Sequence, residues 1–187
     1  GPMPAVLSPT KSFADPVIFC ADAPDSDSED FFVLNAILPY LQEKLNTSVS
    51  GKIYLNNCKV TAAEATALIP VVTFTFSSVE KISSCDLLYK EILADFKNSL
   101  TNITNSARTL QNVKTKYIAK EFSEAYTNTG SAILIEESLR EKNEDSPLFY
   151  LEKYRMTQEL DAEKILKVIE KYLEFENLFR LSNSDSK

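Results

Sequence analysis

The stretch from Val71 to Phe96, VVTFTFSSVEKISSCDLLYKEILADF, changes its hydrophobic period partway along, and that change decides the architecture. From Val72 to Phe76 apolar and hydroxyl residues alternate, the two-residue repeat of a strand with one buried face. From Ser84 onward Leu87, Leu88, Ile92, Leu93 and Phe96 recur at three- and four-residue spacing, the repeat of an amphipathic helix. Ahead of this stretch strand and helix patterns take turns. Behind it, segment after segment reads as helix.

Working toward the N-terminus, Lys52–Val60 (KIYLNNCKV) reads as a strand. Thr61-Ala62-Ala63-Glu64 has the form of a capping box opening a short helix that stops before Pro70. Pro16–Ala23 (PVIFCADA) reads as a buried strand because Val17, Ile18 and Phe19 run on without alternation. Ser28-Glu29-Asp30 then opens a helix whose apolar positions are Phe31, Leu34, Ile37, Leu38, Leu41 and Leu45. Acids from Asp25 to Asp30 suit the positive end of its dipole, and Pro39 should kink it.

Working toward the C-terminus, Glu80–Ser83 fits a brief fourth strand, and Ser83-x-x-Asp86 a second capping box. A helix striped by Ala107, Leu110, Val113, Tyr117, Ile118 and Phe122 should break at Thr127–Gly130. A shorter one follows around Ile133–Leu139. Ser146-Pro147 is an N-cap followed by proline at the first helical position, and Asp161 opens or continues into a last helix reaching Phe179. The predicted organisation is a disordered tail over 1–15, an α/β lobe over 16–83, a helical lobe over 84–181 and a polar tail over 182–187. The fold class is α+β or α/β: a small front sheet of three to four strands, then an all-helical lobe.

Composition narrows the chemistry. Gly1-Pro2 reads as a remnant of tag cleavage ahead of Met3. The chain has no histidine, which removes the commonest general base and the commonest metal ligand. Its three cysteines, Cys20, Cys58 and Cys85, form no C-x-x-C pair and fit reduced thiols in cytoplasm or nucleus. A net charge of −7, with Lys114, Lys116 and Lys120 close to Glu121 and Glu124, disfavours nucleic acid and anionic membranes. No metal site, cofactor or catalytic residue is expected. Ser8-Pro9-Thr10-Lys11 and Ser26-Asp27-Ser28-Glu29 fit proline-directed and acidic-directed kinase sites, so Ser8 and Ser26 are candidate regulatory phosphorylation positions of a eukaryotic protein.

The order of elements, with Ile69-Pro70-Val71-Val72 ahead of the third strand and Lys81–Leu88 at the turn into the next helix, resembles the glutathione-transferase fold. That resemblance implies a thioredoxin-like front half over roughly 16–83, a helical back half to about 180, and a cis proline at Pro70. It departs where those enzymes activate glutathione: only Cys20 stands near the end of the first strand, and Asp22, Asp25, Asp27, Glu29 and Asp30 would raise its pKa. The resemblance therefore implies the non-catalytic branch, the domains appended to aminoacyl-tRNA synthetases and their scaffolds.

The resulting expectation is a non-enzymatic interaction or scaffold module. It would dock on a protein partner or a second copy through apolar helix surfaces, with Tyr172, Phe175 and Phe179 as anchors and Asp25, Asp27 and Glu29 as an acidic rim. Two other readings stand beside it: a glutathione-dependent enzyme using Cys20 or a neighbouring hydroxyl, and an obligate subunit of a larger intracellular assembly.

Overall fold

A computed structural model describes residues 16–50, 59–65, 70–77, 81–129 and 147–181. In chain order its elements are β1 (Val17–Asp22), α1 (Glu29–Ser50), β2 (Lys59–Ala65), β3 (Val71–Ser77), α2 (Ile82–Thr101), α3 (Ser106–Thr129), α4 (Pro147–Gln158) and α5 (Ala162–Val168). Helix α5 widens into a π turn over Ile169–Leu173, a single 3-10 turn follows over Phe175–Asn177, and the short strand β4 (Phe179–Leu181) ends the described chain.

The four strands form one antiparallel sheet in the order β2-β3-β1-β4. Its buried face follows from register: Phe19 lies opposite Phe74, Val17 opposite Phe76, and Ala21 opposite Val72. All six are buried. Phe19 meets Phe76 edge-on at 5.3 Å and Tyr89 of α2 edge-on at 5.6 Å, the geometry aromatic quadrupoles favour.

Helices supply the other wall of the core. Val33, Leu34, Ile37, Leu41 and Leu45 make the buried stripe of α1; Cys85, Leu88, Tyr89, Ile92 and Phe96 that of α2; Ile165, Val168, Ile169 and Leu173 that of the last helix. Each large side chain so buried contributes about 1.5–3 kcal/mol before entropy is counted. One core joins the sheet to the helices on both sides of residue 84. The α+β class expected from the sequence is the class found.

Local signals settle several helix ends. The Ser28 hydroxyl accepts from the Phe31 amide at 3.1 Å and donates to the Asp25 carbonyl at 2.6 Å, capping α1. Asp161 Oδ1 accepts from the Lys164 amide at 2.8 Å and starts α5. Helix α1 remains helical through Pro39 to Ser50.

Other expectations are corrected. Thr61–Glu64 opens no helix; it lies inside β2, paired with β3 across a bulge between Val60 and Ala62. Residues 82 and 83 belong to α2, whose start has no side-chain cap, so the Ser83-x-x-Asp86 box does not form. Asp86 instead accepts from Arg180 of β4 at 3.0 Å. Helix α3 continues through Thr127–Thr129. The final apolar stripe is not one helix: Phe175 sits in the 3-10 turn and Phe179 in a strand. The tails 1–15 and 182–187, Ser8, Lys52–Cys58, Ile69 with its bond to Pro70, and the helix around Ile133–Leu139 lie outside the described residues.

Candidate functional site

Helices α1, α3 and α4 enclose a groove of about 1030 Å³, just above the usual size of small-ligand pockets. One wall is a face of α1. Phe31, Asn35, Leu38, Gln42 and Asn46 recur at intervals of three or four residues, so they align along the helix and all line the groove. This face flanks the buried stripe of Leu34, Ile37, Leu41 and Leu45, which explains how one amphipathic helix serves both core and groove.

Where α1 faces α3, the Phe32 ring meets Tyr117 edge-on at 5.7 Å. Opposite, α4 brings Phe149, Met156 and Lys153. The Lys153 ammonium lies 4.6 Å from the centre of the Phe149 ring and donates to Glu121 of α3 at 2.9 Å. One lysine thus ties α4 to α3 and stiffens that wall. Ser26, Asp27 and Ser28 stand at the end of the groove nearest the start of α1.

The charges along the groove are largely paired. Asp27, Glu43, Glu121 and Glu152 line the groove against Lys120 and Lys153. Glu43 pairs with Lys116 at 2.7 Å. Arg155 grips Glu152 and also reaches Glu159 at 2.6 Å. Hydrogen bonding from Arg155 holds the Glu152 carboxyl below the ordinary carboxylate range.

The residues singled out from the sequence are placed as follows. Tyr172 is half-buried and donates to Asp30 Oδ2 at 3.2 Å. Phe175 is half-buried, edge-on to Phe19 at 6.1 Å, with the Lys90 ammonium 4.5 Å above its ring. Phe179 is 50% exposed and lies opposite Cys20 in the sheet. The three are directed at the start of α1, the core, and the sheet face away from the core. Ser26 is exposed in the turn before α1. In the acidic run, Glu29 pairs with Lys164 at 3.0 Å and Asp30 with Lys171 at 3.8 Å. Cys20 and Cys85 are buried and outside any disulfide, and burial pushes the Cys20 pKa up.

The groove's amide-bearing stripe was missed. Its signal was present as Asn35, Gln42 and Asn46 at helical spacing beside the apolar stripe, but nothing local in the sequence says which helices would face it.

No protein-family model matches the sequence, and no curated protein sequence matches it. Solved structures do resemble the fold. A proposed zinc protease from Bordetella pertussis Tohama I superposes with a TM-score of 0.56 at 12% identity, over 88% of this chain and 91% of that one. The inactive peptidase domain of a proposed zinc protease from Bordetella parapertussis gives a TM-score of 0.56 at 12% identity, over 90% and 92%. A protease from Helicobacter pylori gives 0.59 at 12% identity over 90% of this chain, which spans 40% of that protein.

These likenesses overturn the glutathione-transferase resemblance. A thioredoxin-like front would join its first two strands as parallel neighbours through the crossover helix. Here β3 is inserted between β1 and β2, and every pairing is antiparallel. With the resemblance go the scaffold module, the glutathione-dependent enzyme and the assembly subunit, none of which the peptidase-like architecture supports.

A zinc peptidase needs about three His, Cys or carboxylate ligands converging on one point with a position left open for water. The described residues contain no group of three or more such side chains able to hold a metal ion. In the groove the nearest candidates, Glu43, Glu121 and Glu152, are each drawn into a separate ion pair. Among the described residues the donor set does not fit zinc. The chain shares the fold of these peptidase domains, and its groove is lined by rings, carboxamides and paired acids.

Proposed function

We propose that this chain is a catalytically silent peptidase-fold domain, one that holds a segment of polypeptide without cutting it. The carrying observation is the groove between α1, α3 and α4. It lies in a fold otherwise found in peptidase domains and presents rings, carboxamides and paired acids, with no converging metal ligands among the described residues. Aromatic and aliphatic groups desolvate a bound chain, and amides satisfy the backbone groups it brings along. The absence of histidine throughout the sequence supports the same reading.

No helix among the described residues is long and apolar enough to cross a membrane. A cytoplasmic or nuclear location is part of the proposal, supported by Cys20 and Cys85 standing outside any disulfide.

The test uses reduced, carboxymethylated α-lactalbumin, a permanently unfolded polypeptide, with and without added zinc. The expected result is saturable binding by fluorescence anisotropy and no new fragments by mass spectrometry. Fragments that increase with zinc and vanish with chelator would overturn the silent assignment. Lack of binding would overturn the holding role.

A further inference from the structure

We infer that the outer edge of β1 is a strand-accepting site for an extended segment of another protein with the pattern apolar–arginine–apolar, and that β4 occupies this site in cis. The site is separate from the groove, whose lining includes no residue of β1 or β4. β4 itself shows what the edge takes. Phe179 lies opposite Cys20 and Leu181 opposite Ile18, so both apolar side chains fall on the sheet face away from the core. Arg180, between them and opposite Phe19, is turned to the other face, where it donates to Asp86 Oδ2 of α2 at 3.0 Å. At such an edge backbone pairing supplies affinity and alternate side chains supply selectivity.

Three features make β4 a replaceable occupant. It covers the edge only in part: β3 pairs with all six residues of β1, whereas β4 pairs, among the described residues, with Ile18, Phe19 and Cys20. A longer strand would carry the ladder further along β1. It is also lightly held. Its three residues are all exposed, while Val17, Phe19, Cys20 and Ala21 of β1 are buried. A segment with so few buried contacts opens ahead of the core it lies on. Last, its polar tie is half made. Asp86 Oδ1 is buried and has no hydrogen-bond partner among the described residues, although Oδ2 is engaged. A guanidinium arriving in the two-pronged geometry would satisfy both oxygens, a gain that Arg180 leaves open.

The chain ahead of β4 allows the exchange. Leu178 is extended, at φ −92° and ψ 151°, between the 3-10 turn and the strand. Phe175 stays anchored beside Phe19 and Tyr89, at 6.1 and 6.2 Å. β4 can therefore swing out about Leu178 while the core keeps its packing. The free side of β4 is the poorer platform, with three residues where β1 offers six and Asp86. An incoming strand accordingly replaces β4 and does not add beside it.

The experiment uses the whole chain and a fluorescein-labelled octapeptide with Phe-Arg-Leu at its centre, flanked by threonine and valine, beside the same peptide with glutamine for arginine. Anisotropy should show saturable binding of the arginine peptide and about threefold to tenfold weaker binding of the glutamine one. With the arginine peptide bound, the amides of Phe179–Leu181 should exchange hydrogen faster while those of β1 stay protected. Arg180→Ala, which weakens the cis occupant, should bind the arginine peptide more tightly. Asp86→Asn should bind the two peptides alike, and thermal melts report whether either variant folds. The peptide contrast and the exchange pattern need no variant, so they stand even if one misfolds. No binding at about 1 mM peptide, equal affinity of wild type for both peptides, or unchanged or slower exchange in β4 would each overturn the inference. A wild-type dimer in size exclusion that is lost in Arg180→Ala would make a second copy's β4 the occupant and would overturn the assignment to a different protein.

Discussion

Tyr89→Phe isolates one buried hydrogen bond, which ends the π turn over Ile169–Leu173. The Tyr89 ring is 2% exposed and sits among Phe19, Phe74 and Phe175, at 5.6, 5.3 and 6.2 Å. Its hydroxyl donates to the Leu173 carbonyl at 2.7 Å, where the π turn ends and the helix runs out of amide donors. Phenylalanine keeps the ring packing and removes only the donor. The net hydrogen bond alone would be worth about 1 kcal/mol, but the deletion leaves a buried carbonyl unsatisfied, which raises the cost to about 1–3 kcal/mol. For a chain of this length that lowers Tm by roughly 2–12 °C. Urea denaturation should show a lower midpoint at unchanged slope, since the exposed surface is the same. Tyr89→Ala should cost more, about 3–5 kcal/mol, by opening a cavity as well.

The same bond has a pH signature. Burial, and secondarily the Glu174 charge, push the Tyr89 phenol far above its ordinary value of 10.0. A raised folded pKa means stability that is complete below the unfolded value and is lost as pH climbs above it, toward the folded value. The stability gap between wild type and Y89F should therefore be flat through neutral pH and shrink above about pH 10. A midpoint for Y89F within about 0.3 kcal/mol of wild type at pH 7 would refute the reasoning, because it would mean that the Leu173 carbonyl does not need this donor.

Two further outcomes follow from the geometry. Peptide-level mapping after iodoacetamide treatment should find Cys20 and Cys85 modified more than about tenfold more slowly in the native protein than in urea, given their burial and the raised Cys20 pKa. Rapid native modification of Cys20 would contradict its placement. In NMR titrations the Glu152 carboxyl should protonate below the ordinary carboxylate range, and R155A should move it back up. The pairing is present above the unfolded carboxylate pKa and fades as pH falls through the depressed folded value, so R155A and wild type should converge in strong acid.

Elements whose signals are local were legible in the sequence. The unbroken apolar run of β1, the alternation of β3, the stripes of α1 and α2 and the Asp161 cap all state their structure within a few residues. Thr61–Glu64 misled because its residues favour a helix start when read alone, whereas pairing with β3 draws them into the sheet. Phe179 misled for a related reason. Its spacing continues the helical stripe, but the partner that makes it a strand is Cys20, at the other end of the described chain. The groove was half legible. The lack of histidine is plain in the sequence, and Asn35, Gln42 and Asn46 stand at helical spacing along one helix. What assembles them into a site is the approach of α3 and α4, and no local pattern carries that.

The seat of β4 beside β1 also sets a timetable. β1 is an interior strand, with β3 on one side and β4 on the other. During synthesis its pairing with β3 becomes possible early, but its second edge stays uncovered until Phe179–Leu181 leaves the ribosome. At about 5–20 residues per second that interval is on the order of five to twenty seconds. Throughout it Ile18 and Cys20 border an open strand edge, the kind of edge that recruits strands from other chains. Three residues of β4 thus close the folding reaction, and a chain stopped short of them would present its most apolar strand to its neighbours.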